Sequence, residues 1–457
     1  MKHSTPARLE DPLLYHHVSR CDTVNFNAYL VALAAWQRGL RVVFHYEVAT
    51  HCERFARLAV QGYRGELFSV SDGQTTHYFC RAQGDLTSRE ASARCEDKQA
   101  TKDVLSEHGI DVPAGCVVDA RAHAAAQAFM QRHTHKRFLL KPLSGTLGKG
   151  VYRQLLADEV LTLLPTLQGV HLLEEHVEGP EYRVYSVGGR CVAGLQRVPA
   201  HVMGDGQQTV AALIDQKQQQ RARHPVYRNT PLPNQADISA FLKANRQYMH
   251  DVPALGDRVW LADIASFAHG GDLLDATQSL SPRIAATAVR TQQALGLPAA
   301  GIDLIVQFPG QTNERVVVLE ANQNPHIYPD SLPFPGVHPG GGNRIAEAII
   351  DDYFPATLTS PRFQKASFDL KAICQALQSG TVEAVSLPRI DKTWRHQRIK
   401  LSASQVNENT RTQLQRLFFT LGVNAQALPD EKGHLLVDIV APKARLQLFM
   451  RYLQGAK

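Results

Sequence analysis

Apolar residues recur at helical spacing through NFNAYLVALAAWQRG, after which Gly39 stops the helix and RVVFHY reads as a strand. ELFSVSDG and TTHYFCRA read as two more strands, joined by a turn at Ser71-Asp72-Gly73. Next, Asp97 caps a helix whose apolar face includes Val104 and Leu105. Gly109 ends it, and Ile110-Asp111-Val112-Pro113 leads back into a strand. A helix over AHAAAQAFMQRH and a strand over RFLLKPL follow, and the alternation continues to Pro355, which predicts an α+β or α/β fold. Beyond Ser360, FDLKAICQALQSG, TRTQLQRLFFTLG and ARLQLFMRYLQG read as helices, and RIKLSA and HLLVDIVA as strands. The run QKQQQRARHPVYRNTPLP (216–233) breaks the period; polar, basic and proline-containing, it predicts an exposed, mobile loop. No internal repeat or coiled-coil heptad is present. The resulting division is an N-terminal α/β domain (1–95), a central domain (96–357) and a small basic α+β domain (361–457).

Composition narrows this picture. The chain has 457 residues, 44% hydrophobic and 20% charged, which excludes a mainly disordered or fibrous protein. No run approaches the ~18 apolar residues of a membrane span, and the N-terminus has no apolar core, so neither a membrane anchor nor a signal peptide is expected. The seven cysteines are odd in number, lack a CxxC and predict free thiols in a reducing cytoplasm. Of the formal charge of +6, none belongs to the first 360 residues: 361–457 carry fifteen Lys and Arg against seven Asp and Glu. Such a basic module suits docking to an acidic partner or guiding an anionic substrate.

Candidate chemistry sits in two places. The strand RFLLKPL runs into a loop of small residues, Ser144, Gly145, Thr146, Gly148 and Gly150. Their backbone N–H groups, free of Cβ interference, can cradle phosphate oxygens, with Lys141 as a point charge beside them. Neither the Walker A nor the GxGxxG spacing is present, and a plain connecting turn is the competing reading. Further on, IDLIVQF and VVVLEAN form a hairpin carrying Asp303, with Glu320 and Asn322 two residues apart on one face. Two carboxylates and an amide make a hard-oxygen set suited to Mg²⁺. The alternative is a pair of solvated strand-end acids, but acids inside such apolar runs are costly to bury unpartnered. His16-His17 and His133-Thr134-His135 lack further ligands and read as surface polar residues.

The order of these motifs resembles the ATP-grasp superfamily of ligases, from about Glu96 to Pro355. The likeness begins at EDKQATKDVLSEHGIDVP, where Lys98 matches the family's first lysine, and continues at KPLSGTLGKGV with Lys141 and the glycine loop. At LLEEHVEGPEYRV it implies a hinge, Glu174, Glu175, His176 and Val177, that reads adenine through backbone groups, and a Glu181 that holds the ribose hydroxyls. It implies Asp303, Glu320 and Asn322 as the magnesium ligands, with manganese as a substitute. GLQRVPAHVMGDGQQTVAALI, LADIASFAHGGDLLDAT and GIDLIV are similar to cyanophycin synthetase and the bifunctional glutathione synthetases. The chain is too short for the second, Mur-ligase-like domain of cyanophycin synthetases, its first 90 residues match neither group, and NQNPHIYPD has His326 where the family pattern has glycine. A single ligation, rather than polymerisation, is therefore implied.

The resemblance implies ATP-dependent formation of an amide between amino acids or short peptides, through an acyl phosphate. Lys98 and Lys141 would contact phosphates, and Arg197 would steady the transferring phosphoryl group or the tetrahedral intermediate, unless it is a plain surface arginine. Arg183 reads either as a salt bridge to a hinge acid or as a substrate contact. Asp205 is at least a turn former, His326 lies next in sequence to the acidic cluster, and Arg221, Arg223 and Arg228 read as a solvated basic loop or a site for an acidic substrate. Partners are then small-molecule amino-acid or peptide substrates, with no membrane or nucleic acid, and further copies of the chain, since relatives commonly form dimers or tetramers. Two rival readings are a small-molecule kinase that needs no amine, and an interaction or nucleic-acid-binding module resting on RIDKTWRHQRIK with its Trp394.

Overall fold

The structure, a computed structural model, describes residues 23–46, 65–119, 123–134, 136–143, 150–224, 227–328, 343–355, 367–390, 393–402, 408–421, 423–429 and 434–455. Contacts divide the chain into two compact units: Met1–Asp85 with His326–Tyr328 and Ala346–Lys457, and Leu86–Pro325 with Pro329–Ile345.

In the first unit, the helix Thr23–Gln37 is apolar on every side and is buried from Phe26 to Trp36. It packs on an antiparallel sheet ordered Ala384–Ser386, Arg41–His45, Leu67–Ser71, Thr76–Cys80, Gln83–Gly84. Val43 pairs with Ser386 and His45 with Ala384, so residues from both ends of the chain share one sheet. A second sheet, Trp394–Leu401, Leu435–Pro442 and Asn424–Pro429, shares a core with the helices Glu408–Leu421 and Lys443–Gly455 around Leu414, Val437, Ile439 and Phe449. Trp394, the aromatic of the basic run, does not face solvent: it is 5% exposed and meets Trp36 edge-on at 5.9 Å. The nucleic-acid reading thereby loses its stacking platform, because that ring belongs to the core.

Among the described residues the second unit contains two larger sheets, beside the two-stranded pair His201–Met203 and Arg258–Trp260. In one, Gly115–Asp119, Val170–Glu175, Phe138–Pro142 and Tyr152–Leu155 lie in that order, with the helices His123–Arg132 and Ala157–Leu163 closing a core of Phe129, Phe138, Leu140 and Leu173. The other is fully antiparallel, ordered Asp272–Asp275, Arg190–Val198, Glu181–Val187, Ala299–Gln307, Arg315–Asn322. The helix Pro282–Ala294 packs on it through Ile284 and Ala288. Asp97 caps the helix Lys98–Glu107, its Oδ1 accepting from the N–H groups of Gln99 and Ala100 at 2.8 and 3.1 Å.

The run 216–233 is not a solvated loop. Val210–Arg223 is a helix, and Tyr227–Asn229 a short 3₁₀ turn. Val210, Leu213, Ile214, Lys217 and Arg221 share one helical face, so two cations continue a stripe that starts apolar. They are accommodated because Asp272 is buried against them: Arg221 Nη1 lies 2.7 Å from Oδ1 and Lys217 Nζ 2.5 Å from Oδ2. Arg221 also donates to the Thr230 carbonyl at 2.6 Å and stacks on the Tyr227 ring at 4.7 Å.

At the C-terminal end of this helix, burial and the Arg221 cation push the His224 imidazole down to about 4. An unfolded histidine titrates near pH ~6.5, so between those values the unfolded chain binds a proton that the folded one refuses. Stability is therefore full above about pH 6.5 and falls as pH drops towards 4, by on the order of 2 kcal/mol at pH 5. The His224→Gln variant, which has no such proton to bind, should lose less between pH 7.5 and 5 in urea titrations. Equal losses in both proteins would place the acid sensitivity elsewhere.

Candidate active site

The five-stranded antiparallel sheet of the second unit gathers charged side chains from four of its strands. Asp303 pairs in register with Arg183 on one side and with Glu320 on the other, and a bulge leaves Leu319 without a register partner. Arg183 Nη1 lies 3.0 Å and Arg197 Nη2 2.9 Å from the same oxygen, Oδ1 of Asp303. Arg183 and Asp303 are buried, whereas the Arg197 side chain is 29% exposed. Gly301 makes the room: a Cβ there would sit 2.5 Å from Arg183 Nη2. Arg183 forms its ion pair with Asp303 rather than with a hinge acid. Glu181 stands between Arg197 at 3.8 Å and Arg153 at 3.3 Å.

Burial pushes the Asp303 carboxyl up, but the two guanidinium groups outweigh it and hold the acid down at about 2. Glu320, half-buried beside that carboxylate, is pushed up by desolvation and by Asp303. Asn322 Nδ2 donates to Glu320 Oε1 at 3.2 Å. Among the described residues no three His, Cys, Asp or Glu side chains form a metal-binding group; beside the two carboxylates stands the Asn322 amide. Two carboxylates and an amide oxygen on neighbouring strands fit a hard divalent cation, and the excess negative charge marked by Glu320 is what such a cation would relieve.

The other sheet presents cations. Glu174, 2% exposed, is gripped by Lys141 Nζ at 2.6 Å and Lys102 Nζ at 2.8 Å. A Cβ on Gly115 would fall 2.8 Å from both Lys102 Nζ and the Leu173 carbonyl, so only glycine fits under this pair. Sequence reasoning missed Lys102; it lies four residues after Lys98, hence on the same helical face, and that spacing was the available signal. Lys98 Nζ donates to the Leu143 carbonyl at 3.3 Å, at the entry to the glycine loop. Burial lowers its ammonium, and the charges of Glu320, Lys141 and Glu174 all act on it, so carboxylates of both sheets and the lysine pair lie within electrostatic reach of Lys98.

Of the glycine loop, Ser144, Gly145, Thr146 and Gly148 lie outside the described residues. Gly150 follows with φ +70. In the hinge, the Glu175 N–H donates to the Ala114 carbonyl at 2.9 Å and the His176 N–H to that of Arg137 at 2.7 Å. The Glu175 side chain pairs with Lys136, and burial lowers the His176 imidazole. Val177 is buried in a small cluster with Ile305 and Val317, and its N–H has no partner among the described residues. Asp205 builds a turn by accepting from the Gln207 and Gln208 N–H groups at 2.8 and 2.7 Å. Arg228 is exposed on the 3₁₀ turn. His326 belongs to the first unit, its ring nitrogen 3.5 Å from the Asn27 amide nitrogen. Two cavities, of about 560 and 280 Å³, are lined by other residues.

No family model matches the chain. It is 27% identical over 297 residues to the glutathione biosynthesis bifunctional protein GshAB of Clostridium perfringens, covering 62% of this chain and 38% of that protein. The GshAB protein of Streptococcus mutans is 28% identical over 292 residues, covering 60% of this chain and 38% of its own length. The chain thus spans less than half the length of these curated relatives. Among solved structures, a bifunctional glutathione synthetase from Pasteurella multocida superposes with a TM-score of 0.50 at 23% identity, over 64% of this chain and 40% of that one. The fold is an α+β ATP-grasp fold.

Proposed function

We propose that the chain is an ATP-dependent carboxylate–amine ligase that joins amino acids or short peptides through an acyl phosphate. The observation that carries this reading is the position of Lys98, on which both the Glu320 carboxylate and the Lys141–Glu174 pair act. A triphosphate with a divalent cation is the kind of ligand that satisfies both signs of charge in one place. Similarity to glutathione biosynthesis proteins supports amino-acid-like substrates.

In this reading, Lys98 and Lys141 bind phosphate oxygens, and the segment from Ser144 to Gly150 lends backbone N–H groups and excludes water from the acyl phosphate. The Glu175 and His176 N–H groups are already used within the protein, so the adenine contact falls to the Val177 N–H. Glu181 holds the ribose. Asp303, Glu320 and Asn322 would hold Mg²⁺ or Mn²⁺, which when bound neutralises phosphate charge. Arg183 keeps Asp303 ionised, leaving the more exposed Arg197 to face the transferring group. Asp205, Arg228 and His326 are the residues assigned to substrate recognition.

The test is incubation with ATP, Mg²⁺ and paired amino acids, followed by phosphate assay and mass spectrometry. ADP, phosphate and a new amide should appear together. A phosphorylated product that forms without any amine would make the protein a kinase, and no ADP with any pair would reject both.

A further inference from the structure

Arg153 is an exposed arginine on the strand Tyr152–Leu155, which follows the glycine loop in sequence and is an edge of its sheet among the described residues. That strand is not regular. Phe138 pairs with Leu155 and Leu140 with Tyr152, so four residues on this strand face three on its neighbour. The extra residue makes a bulge, and Gln154 takes it up with φ +56, a left-handed backbone that residues other than glycine seldom adopt. Arg137 holds the bulge: its Nη1 donates to the Gln154 carbonyl at 2.9 Å, and its own carbonyl accepts from the hinge N–H of His176. Backbone strain of this kind persists where surrounding contacts fix it, and a bulge re-aims the side chains beside it.

The side chain at this bulge is Arg153, and its Nη1 lies 3.3 Å from Glu181 Oε1 on the five-stranded sheet. Arg197, the register neighbour of Glu181, approaches the other oxygen, Oε2, only to 3.8 Å, beyond hydrogen-bonding distance. One carboxylate is thus held between two guanidinium groups, and Arg153 has the shorter contact. Burial lowers the His176 imidazole, and the charges of Arg153 and Arg137 add to that against Glu178, so Arg153 acts on the hinge as well.

We propose that Arg153 is a positioning residue for the nucleotide: it keeps the Glu181 carboxylate drawn away from Arg197 and turned to accept the two ribose hydroxyls. This rests on the reading in which Glu181 holds the ribose. A carboxylate offers about four acceptor positions, so it can keep Arg153 and still accept from both hydroxyls. Without Arg153, the other cation at hand is Arg197, and a bidentate pair with it would engage both oxygens. Glu181 would then lose the ribose, and Arg197 would be drawn from the transferring group.

The experiment is calorimetric titration of the full chain, in Mg²⁺, with ATP or with 2′,3′-dideoxy-ATP. Arg153→Met should weaken ATP about fivefold, the upper range for an exposed ion pair, and the dideoxy nucleotide by less than about twofold. Arg153→Lys, which keeps a cation in place, should restore most of the ATP affinity. Arg153→Gln covers the case in which methionine disturbs folding, and should show the same dependence on the hydroxyls. In a Glu181→Gln background, Arg153→Met should change the affinity for neither nucleotide. Equal weakening of both nucleotides, an unchanged ATP affinity, or a further loss of ATP in the Glu181→Gln background would each overturn the proposal and leave the ligase reading in place. A parent that prefers ATP no more than Glu181→Gln does would remove the ribose role of Glu181, and a parent that binds no ATP would reject the ligase reading; either result takes this proposal with it.

Discussion

Asp272→Asn should destabilise the chain by about 3–5 kcal/mol, the usual cost of removing one partner from a buried ion pair. The carboxylate is 1% exposed and faces Arg221, which is fully buried, and Lys217, whose side chain is 12% exposed. The neutral amide leaves both cations in a low-dielectric interior with uncharged acceptors in place of the carboxylate, the Thr230 carbonyl among those of Arg221 and the His201 carbonyl beside Lys217. Arg221→Met should cost less, since Lys217 still meets Asp272 at 2.5 Å. Because the two residues share one interaction, the double variant should lose less than the two single losses added together. Urea midpoints of the four proteins settle this. A midpoint for Asp272→Asn that matches the parent would mean the cluster is hydrated and inessential.

That same cluster marks the limit of what residue order reveals. The apolar runs in IDLIVQF and VVVLEAN expose the hairpin, and the two-residue period of a strand puts Glu320 and Asn322 on one face, because both signals are local. Asp97 announces its helix for the same reason: its cap reaches only two and three residues ahead. QKQQQRAR looks solvated because a buried cation and an exposed one are the same letter. What decides between them is an aspartate 51 residues away that only the folded chain brings close. The strand Ala384–Ser386 is hidden in the same manner, since it completes a sheet with residues 41–45 that lie far earlier in sequence. The convergence of Arg183 and Arg197 on one oxygen of Asp303 likewise depends on strand register, which hydrophobic patterning does not specify between distant segments.

That shared oxygen yields the sharpest separation of roles in the candidate site. Arg197→Met should leave stability within about 1 kcal/mol of the parent, because a partly exposed ion pair contributes little. Its side chain is 29% exposed, and Asp303 keeps Arg183 at 3.0 Å. Turnover should nonetheless fall by about 10²–10³, the usual loss when one preorganised charge stabiliser is removed from a reacting centre. Arg183→Met should do the reverse in order of severity: with both groups buried, it strips Asp303 of its interior partner and costs about 3–5 kcal/mol before any chemistry is measured. Urea denaturation alongside ADP release, with whichever amino-acid pair proves active, separates the two. If Arg197→Met unfolds as readily as Arg183→Met, both arginines are scaffolding for Asp303. If Arg197→Met turns over at the parental rate, the transferring phosphoryl group is steadied by another cation, with Lys98 and Lys141 the next to replace.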